Sequence, residues 1–93
     1  MTTQLSESMQ RYLDGVADDV RALLGAGIEL VDVQMERRAR PRSVEIRAAY
    51  RMGTLDGTSV GRGASAIEAH ARLREAIVTD RIGFALEALT RAG

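Results

Sequence analysis

The segment 61–69 constrains the fold most strongly, because it joins a glycine-containing strand end to a strong helix start. Its sequence is Gly-Arg-Gly-Ala-Ser-Ala-Ile-Glu-Ala. Ser65 precedes Glu68 by three residues, which is the spacing of a capping box. In that motif the serine oxygen accepts a hydrogen bond from the glutamate amide, and the glutamate side chain reaches back to the serine amide. The sequence therefore predicts a strand that ends near residue 62 and a helix that begins near residue 66.

The predicted last helix, residues 66–91, carries its apolar side chains on two stripes. One stripe contains Ile67, Ala71, Val78, Ile82, Ala85, Leu86 and Leu89, and the other contains Ala66, Leu73, Ile77, Phe84 and Ala88. A straight helix of this length spans roughly 39 Å, whereas a nine-residue strand reaches only about 30 Å. Two interpretations remain open. Either one stripe covers a sheet while the other meets a second chain, or the helix breaks near residues 79–80 and folds back.

Earlier in the chain, apolar residues recur at spacings of three and four over residues 6–24, which predicts an amphipathic helix. Alternation with a period of two then predicts strands over residues 28–38 and 43–52. The expected core face of the first strand consists of Val31, Val33 and Met35, and that of the second consists of Val44, Ile46, Ala48, Tyr50 and Met52. Residues 37–42 form the turn between these two strands.

A third strand is predicted over residues 58–62, after a break at residues 53–57 in which Asp56-Gly57 favours a hairpin turn. Closing the hairpin at that dipeptide places Val60 opposite Gly53 and on the other face from Met52, so a longer loop or a bulge is expected. The sequence thus predicts an α+β fold with the order α-β-β-β-α, in one domain covering residues 1–93. The three-stranded antiparallel sheet has both helices packed on one face.

The composition restricts the chemistry that is open to this chain. It contains no cysteine, which excludes disulfides, thiolate metal sites and thiol nucleophiles. The first residues lack the basic and apolar pattern of a leader, and no stretch approaches the roughly 20 apolar residues of a membrane span, so a cytoplasmic protein is expected. All 13 basic residues are arginine, a bias that suggests a GC-rich bacterial or phage genome.

The net charge is zero but unevenly distributed, with −5 over residues 1–36 and +5 over residues 37–51. The candidate anion or nucleic-acid contacts in the basic segment are Arg37, Arg38, Arg40, Arg42, Arg47 and Arg51. The first four lie in the turn, and the last two lie on the outward face of the next strand. They could contact phosphates in a salt-sensitive manner. Alternatively, the turn is solvated, or its arginines pair with acids of the first helix in a second copy.

The residues that could carry acid–base or metal chemistry have simpler interpretations. His70 is the only histidine, and zinc normally requires three or four ligands, so a partly buried packing role is expected. Asp14, Asp18 and Asp19 are expected on the solvent face of the first helix. No set of nucleophile, base and orienting residue can be assembled. We therefore expect no enzyme, and no catalytic, cofactor-binding or metal-binding residue.

Three glycines, Gly57, Gly61 and Gly63, precede the predicted helix start, where free amides can bind anions. However, no Gly-Lys-Ser/Thr sequence follows them, and their spacing is not Gly-x-Gly-x-x-Gly. They are therefore expected to permit a bulged edge strand.

The element order and the pattern Gly61-x-Gly63-x-Ser65-x-x-x-Ala69 resemble the end of a double-stranded-RNA-binding domain. This resemblance implies the same fold, with RNA contacts from the first helix, a loop between strands and lysines just after the serine. Ala66 and Ile67 occupy the lysine positions here, so the phosphate-gripping residues of that family are missing. The same passage is also similar, over a shorter pattern, to HicB-type antitoxins, which bind partner proteins.

These features together favour a small non-enzymatic binding module, of the class that includes antitoxins and anti-defence inhibitors. It is expected to bind another protein and to form a homodimer through the last helix. The predicted contact residues are Val78, Ile82, Ala85, Leu86 and Leu89, with Arg74 and Arg81 beside them. The alternative is a domain that binds double-stranded RNA or DNA through the arginine-rich turn.

Overall fold

The computed structural model describes residues 7–92 and contains two helices and three strands. In chain order the elements are α1 (Glu7–Leu24), β1 (Glu29–Ala39), β2 (Arg42–Met52), β3 (Leu55–Gly63) and α2 (Ala66–Ala92). The strands form one antiparallel sheet in the order β1-β2-β3. The predicted α+β fold and its element order are thus confirmed. The predicted first residue of α1, residue 6, lies outside the described residues.

The core lies between the inner face of the sheet and both helices. β2 supplies Val44, Ile46, Ala48 and Tyr50, α1 supplies Val16, Val20 and Leu24, and α2 supplies Ala69, Leu73 and Ile77. The alternation predicted for β2 is therefore confirmed. It is the clearest pattern because β2 is the central strand, with one face in the core and the other outside.

The core face predicted for β1 was wrong at one position. A β-bulge interrupts the pairing of β1 with β2 between Leu30 and Asp32. An inserted residue reverses the faces of a strand on one side of it. As a result Leu30, Val33 and Met35 pack on the core, while Val31 is 52% exposed.

The β2–β3 turn lies at Gly53-Thr54, so the predicted turn at Asp56-Gly57 was wrong. Met52 pairs with Leu55, and Gly53 has a φ of 63°, a conformation that glycine adopts without steric cost. The pairing continues without interruption to Gly63, so β3 has no bulge and spans nine residues. The register conflict at Val60 disappears because this residue pairs with Arg47 on the outer face.

The earlier turn gives β3 an inner face of small residues. Gly57, Ser59, Gly61 and Gly63 alternate along this face. A Cβ atom built at Gly61 would overlap the carbonyl oxygen of Ala69 and the amide nitrogen of Leu73, both in the backbone of α2. These glycines therefore allow a helix to lie directly against a regular strand. The strand lies at the edge of the sheet as expected, but the expected bulge was wrong.

The helix α2 is continuous over 27 residues, so the interpretation with a break near residues 79–80 was wrong. Of the two hydrogen bonds of the predicted capping box, the structure shows the one that the Glu68 amide donates to Ser65 Oγ, at 3.1 Å. The Glu68 carboxylate lies 3.8 Å from Arg72 Nη2. At the point of the expected break, Asp80 accepts a hydrogen bond of 2.9 Å from Ser59, which fastens the middle of α2 to β3.

Candidate functional site

The first candidate surface is the exposed apolar side of α2, which we call the α2 outer face. It consists of Val78, Ile82, Ala85, Leu86 and Leu89. The four large side chains among them, Val78, Ile82, Leu86 and Leu89, are 46%, 63%, 62% and 59% exposed. Ile67 continues the same stripe towards the start of the helix and is 77% exposed. A row of large apolar side chains in water is characteristic of a binding surface.

The outer face is exposed because the other stripe of α2 fills the core. Leu73 and Ile77 are fully buried against the sheet, and Ala88 is 8% exposed. At 100° per residue Leu73 lies on the opposite side of the helix from Ile82 and Leu89. Of the two stripes in the sequence, the one containing Leu73 and Ile77 therefore holds the fold together, and the other is free of contacts that would bury it.

Arg74 and Arg81 border the outer face and join α2 to α1. Arg81 Nη1 donates to the carbonyl oxygen of Leu23 at 2.6 Å, and Arg74 Nη1 lies 3.5 Å from Asp19 Oδ1. Carbonyl groups in the last turn of a helix have no partner within the helix, and a cation there is favourable. Both arginines thus have partners within the chain, while their predicted contacts with another chain stay predictions.

His70 takes part in the same junction between the helices. Its Nε2 lies 2.9 Å from Asp19 Oδ2, and its ring meets that of Tyr12 edge to face with centroids 6.2 Å apart. The Tyr12 hydroxyl donates to the Ala66 carbonyl oxygen at 3.1 Å, and burial raises the pKa of Tyr12. The described residues include no group of three or more His, Cys, Asp or Glu side chains placed to hold a metal ion. His70 is half-buried and packs α1 against α2.

The three aspartates of α1 have separate partners. Asp14 accepts a hydrogen bond of 3.0 Å from Gln10, and Asp18 pairs with Arg21 at 3.0 Å. Both aspartates are exposed, as expected. Asp19 instead faces α2 and is half-buried, so its predicted place on the solvent face was wrong.

A buried hydroxyl chain in the core was not predicted from the sequence. Ser59 is 2% exposed and donates to Asp80, so the hydroxyl of Tyr50 donates in turn to Ser59 Oγ at 2.8 Å. Burial raises the pKa of Tyr50, and the Asp80 charge raises it further. The Tyr50 ring also packs edge to face on Phe84, with centroids 4.8 Å apart. A serine between two inward glycines, diagonal to an inward tyrosine that pairs with Gly57, was the available signal.

The second candidate surface is an arginine-lined cleft. Three of the six predicted anion contacts, Arg37, Arg38 and Arg42, line a cleft of about 610 Å³. The other lining residues are Ala39, Ser43, Val44, Ala64, Ser65 and Ala66. The structure therefore brings the β1–β2 hairpin beside the first residues of α2, a proximity that sequence spacing does not reveal.

The remaining predicted anion contacts lie elsewhere. The predicted turn at residues 37–42 was too long, because β1 extends to Ala39 and β2 begins at Arg42, so Arg40 is the one of its four arginines that lies in the turn. Arg40 is exposed, next to Pro41, and does not line the cleft. Arg47 and Arg51 lie on the outer face of the sheet, where they pair with Glu45 at 3.3 Å and with Asp56 at 2.7 Å. The hydrogen bond to Asp56 raises the pKa of Arg51. The predicted set of six is thus divided among the cleft, the turn and a sheet face where carboxylates already neutralise the arginines.

A second arginine also contacts the carboxylate that pairs with Arg47. Arg62 Nε donates to Glu45 Oε1 at 2.7 Å, and this hydrogen bond holds the pKa of Glu45 below its usual value. The outer face of the sheet is therefore a mixed, self-neutralising surface.

Comparisons with known proteins found no matching family model, no matching curated protein and no matching solved structure. The resemblances to double-stranded-RNA-binding domains and to HicB-type antitoxins therefore stay predictions. Within residues 7–92, neither helix is long and apolar enough to cross a membrane.

Proposed function

We propose that the protein is a small, cytoplasmic, non-catalytic binding module of a regulatory or inhibitory kind that assembles with a second copy through the α2 outer face. One observation carries the proposal. Four large apolar side chains, each 46–63% exposed, line one side of a continuous helix whose other side fills the core. The exposed surface of these side chains contributes nothing to folding. Burying this apolar surface on association is favourable by about 25 cal/mol per Å².

A second copy is the occupant that the residue spacing supports. Val78, Ile82, Ala85 and Leu89 are separated by four, three and four residues, which is the seam spacing of closely packed helix pairs. In an antiparallel pair with its two-fold axis between residues 83 and 84, Ile82 faces Ala85 of the partner subunit. A large side chain then meets a small one at each side of the axis, so the surfaces interdigitate.

The polar groups of the described residues support a binding role over a catalytic one. The Ser59 hydroxyl is buried and hydrogen-bonded to Tyr50 and Asp80. His70 is hydrogen-bonded to Asp19, and its ring packs on that of Tyr12. These side chains join elements of the fold, and each has a hydrogen-bond partner within it. The α2 outer face is the surface whose apolar groups remain unused.

The proposal is tested by replacing Ile82 and Leu86 together with aspartate. Both side chains are exposed, so the variant is expected to keep the circular dichroism spectrum of the wild type. Burying unpaired charges costs several kcal/mol, so the dimer dissociation constant should rise by at least about 100-fold. Light scattering after size exclusion, at tens of micromolar, should give twice the chain mass of 10.1 kDa for the wild type and the chain mass for the variant.

Replacing Thr54 and Thr58 with aspartate provides the matched control, because it adds the same charge at exposed positions away from α2. This control should remain dimeric. A wild type that is monomeric at these concentrations, or an aspartate variant of α2 that still dimerises, would contradict the proposal.

A further inference from the structure

The arginine-lined cleft begins where the apolar inner face of the sheet stops. Cross-strand partners share a face, and Arg37 pairs with the buried Val44. Arg42 is two residues before Val44, so it also lies on the inner face. The two positions that would extend the core towards the β1–β2 turn are thus occupied by guanidinium groups.

The opposite wall of the cleft is formed by Ala64, Ser65 and Ala66, whose short side chains leave the space open. A volume of about 610 Å³ is within the range of sites that hold small ligands, roughly 300–1,000 Å³. Ser65 Oγ already caps α2 by accepting from the Glu68 amide. Its hydroxyl hydrogen can still donate, so the hydroxyls of Ser43 and Ser65 are the neutral side-chain donors beside the arginines.

Within residues 7–92, two of the three arginines that line the cleft, Arg37 and Arg42, lack the carboxylate partner that most other arginines have. Carboxylates lie within 4.0 Å of the arginines at positions 21, 38, 47, 51, 62, 72, 74 and 91. Among the described residues, neither Arg37 nor Arg42 has such a carboxylate. Arg37 Nη2 instead contacts the uncharged sulfur of Met9 at 3.6 Å. Two uncompensated cations therefore lie on the inner face of one cleft.

The position of these cations makes an anion between them favourable. The first turn of a helix carries a partial positive charge, so arginines beside residues 64–66 repel that end of α2 rather than stabilise it. A bound anion would remove both the repulsion between the arginines and the repulsion from the helix. Guanidinium groups are also the side chains best suited to bind phosphate, since two parallel N–H groups match two of its oxygens.

We propose that this cleft binds a phosphate group, with Arg37 and Arg42 as its principal ligands. Arg38 is a weaker third ligand, because its Nε already lies 3.4 Å from Glu36 Oε1. The phosphate can come from a small phosphorylated molecule or from a nucleic-acid backbone. No aromatic ring lines the cleft, so neither source is held by base stacking there. This site is distinct from the α2 outer face, and phosphate binding does not depend on the proposed dimer.

The experiment measures amide chemical shifts of the full chain at low salt while inorganic phosphate, a nucleoside monophosphate, and single- and double-stranded oligonucleotides are added. All four probes are expected to shift the amides of residues 37–40, 42, 43 and 64–66. Replacing Arg37 and Arg42 with glutamine should weaken binding of each probe at least about tenfold. The matched control replaces Arg47 and Arg51 with glutamine, which removes the same charge from the outer face, and it should bind nearly as the wild type does.

The probes also separate the two sources of phosphate. If the source is a nucleic-acid backbone, the oligonucleotides bind much more tightly than the monophosphate, and each lost phosphate contact lowers the salt slope by roughly 0.7–0.9. If it is a small molecule, the monophosphate binds at least as tightly as an oligonucleotide does. The proposal is overturned if no probe shifts these amides, or if the control variant loses as much affinity as the cleft variant.

Discussion

Replacing Gly61 with alanine is expected to lower the free energy of unfolding by about 3 kcal/mol or more, which is a large part of the stability of a small domain. The added methyl group would overlap backbone atoms of Ala69 and Leu73, and these atoms cannot rotate away as the end of a side chain can. The whole of α2 would have to move off β3. That movement would also separate Leu73 and Ile77 from the core.

Chemical denaturation followed by circular dichroism measures this loss, and Gly15 provides the matched control. Gly15 lies within α1, and a Cβ atom at this position would meet nothing within 4 Å. The same change to alanine there should raise the free energy of unfolding by about 0.5–1 kcal/mol, because alanine favours the helix. A Gly61 variant that unfolds at the wild-type denaturant concentration would show that α2 does not lie against β3 at this point.

The local patterns in the sequence were sufficient for the order of elements, for the inner face of β2 and for the cap at Ser65. Each of these depends on residues that are close together in the chain. The alternation in β2 is complete from Val44 to Tyr50, and a central strand has no freedom to slip without exposing its whole apolar side. The capping box likewise needs only the spacing of Ser65 and Glu68.

The turn between β2 and β3 could not be placed from local patterns, because Gly53-Thr54 and Asp56-Gly57 are both acceptable turn sequences. The choice depends on the partner of β3, which is the helix α2. The observed turn places Gly57, Ser59 and Gly61 under that helix, where larger side chains would not fit. Tertiary packing against α2 thus determines the register of β3. The small residues of β3 are the feature of the sequence that reflects this packing.

The candidate sites show the same limit. The exposed arginines could be recognised in the sequence, but the division into a cleft group and a neutralised group depends on which carboxylates lie beside them, such as Asp56 of β3 opposite Arg51. The two stripes of α2 were also recognisable. Which stripe faces the sheet depends on how the helix is rotated about its axis, and periodicity alone does not determine that rotation.

Alanine substitutions at Ile77 and Ile82 test this rotation with the same chemical change on the two sides of one helix. Ile77 is fully buried, so its replacement leaves a cavity and is expected to cost about 2–5 kcal/mol of stability. Ile82 is 63% exposed, and its replacement should change the stability of the monomer by no more than about 0.5 kcal/mol. Denaturation at sub-micromolar concentration isolates the monomer and gives both values.

Repeating the denaturation of both variants at tens of micromolar protein tests whether Ile82 lies in the proposed dimer contact. A dimer contact stabilises the folded state by mass action, so the cost of the Ile82 change should grow with protein concentration while the cost at Ile77 stays constant. Equal costs at Ile77 and Ile82 in dilute solution would mean that the rotation of α2 is wrong. A small cost at Ile82 that does not change with concentration would leave the rotation intact and contradict the dimer, so the two claims can fail separately.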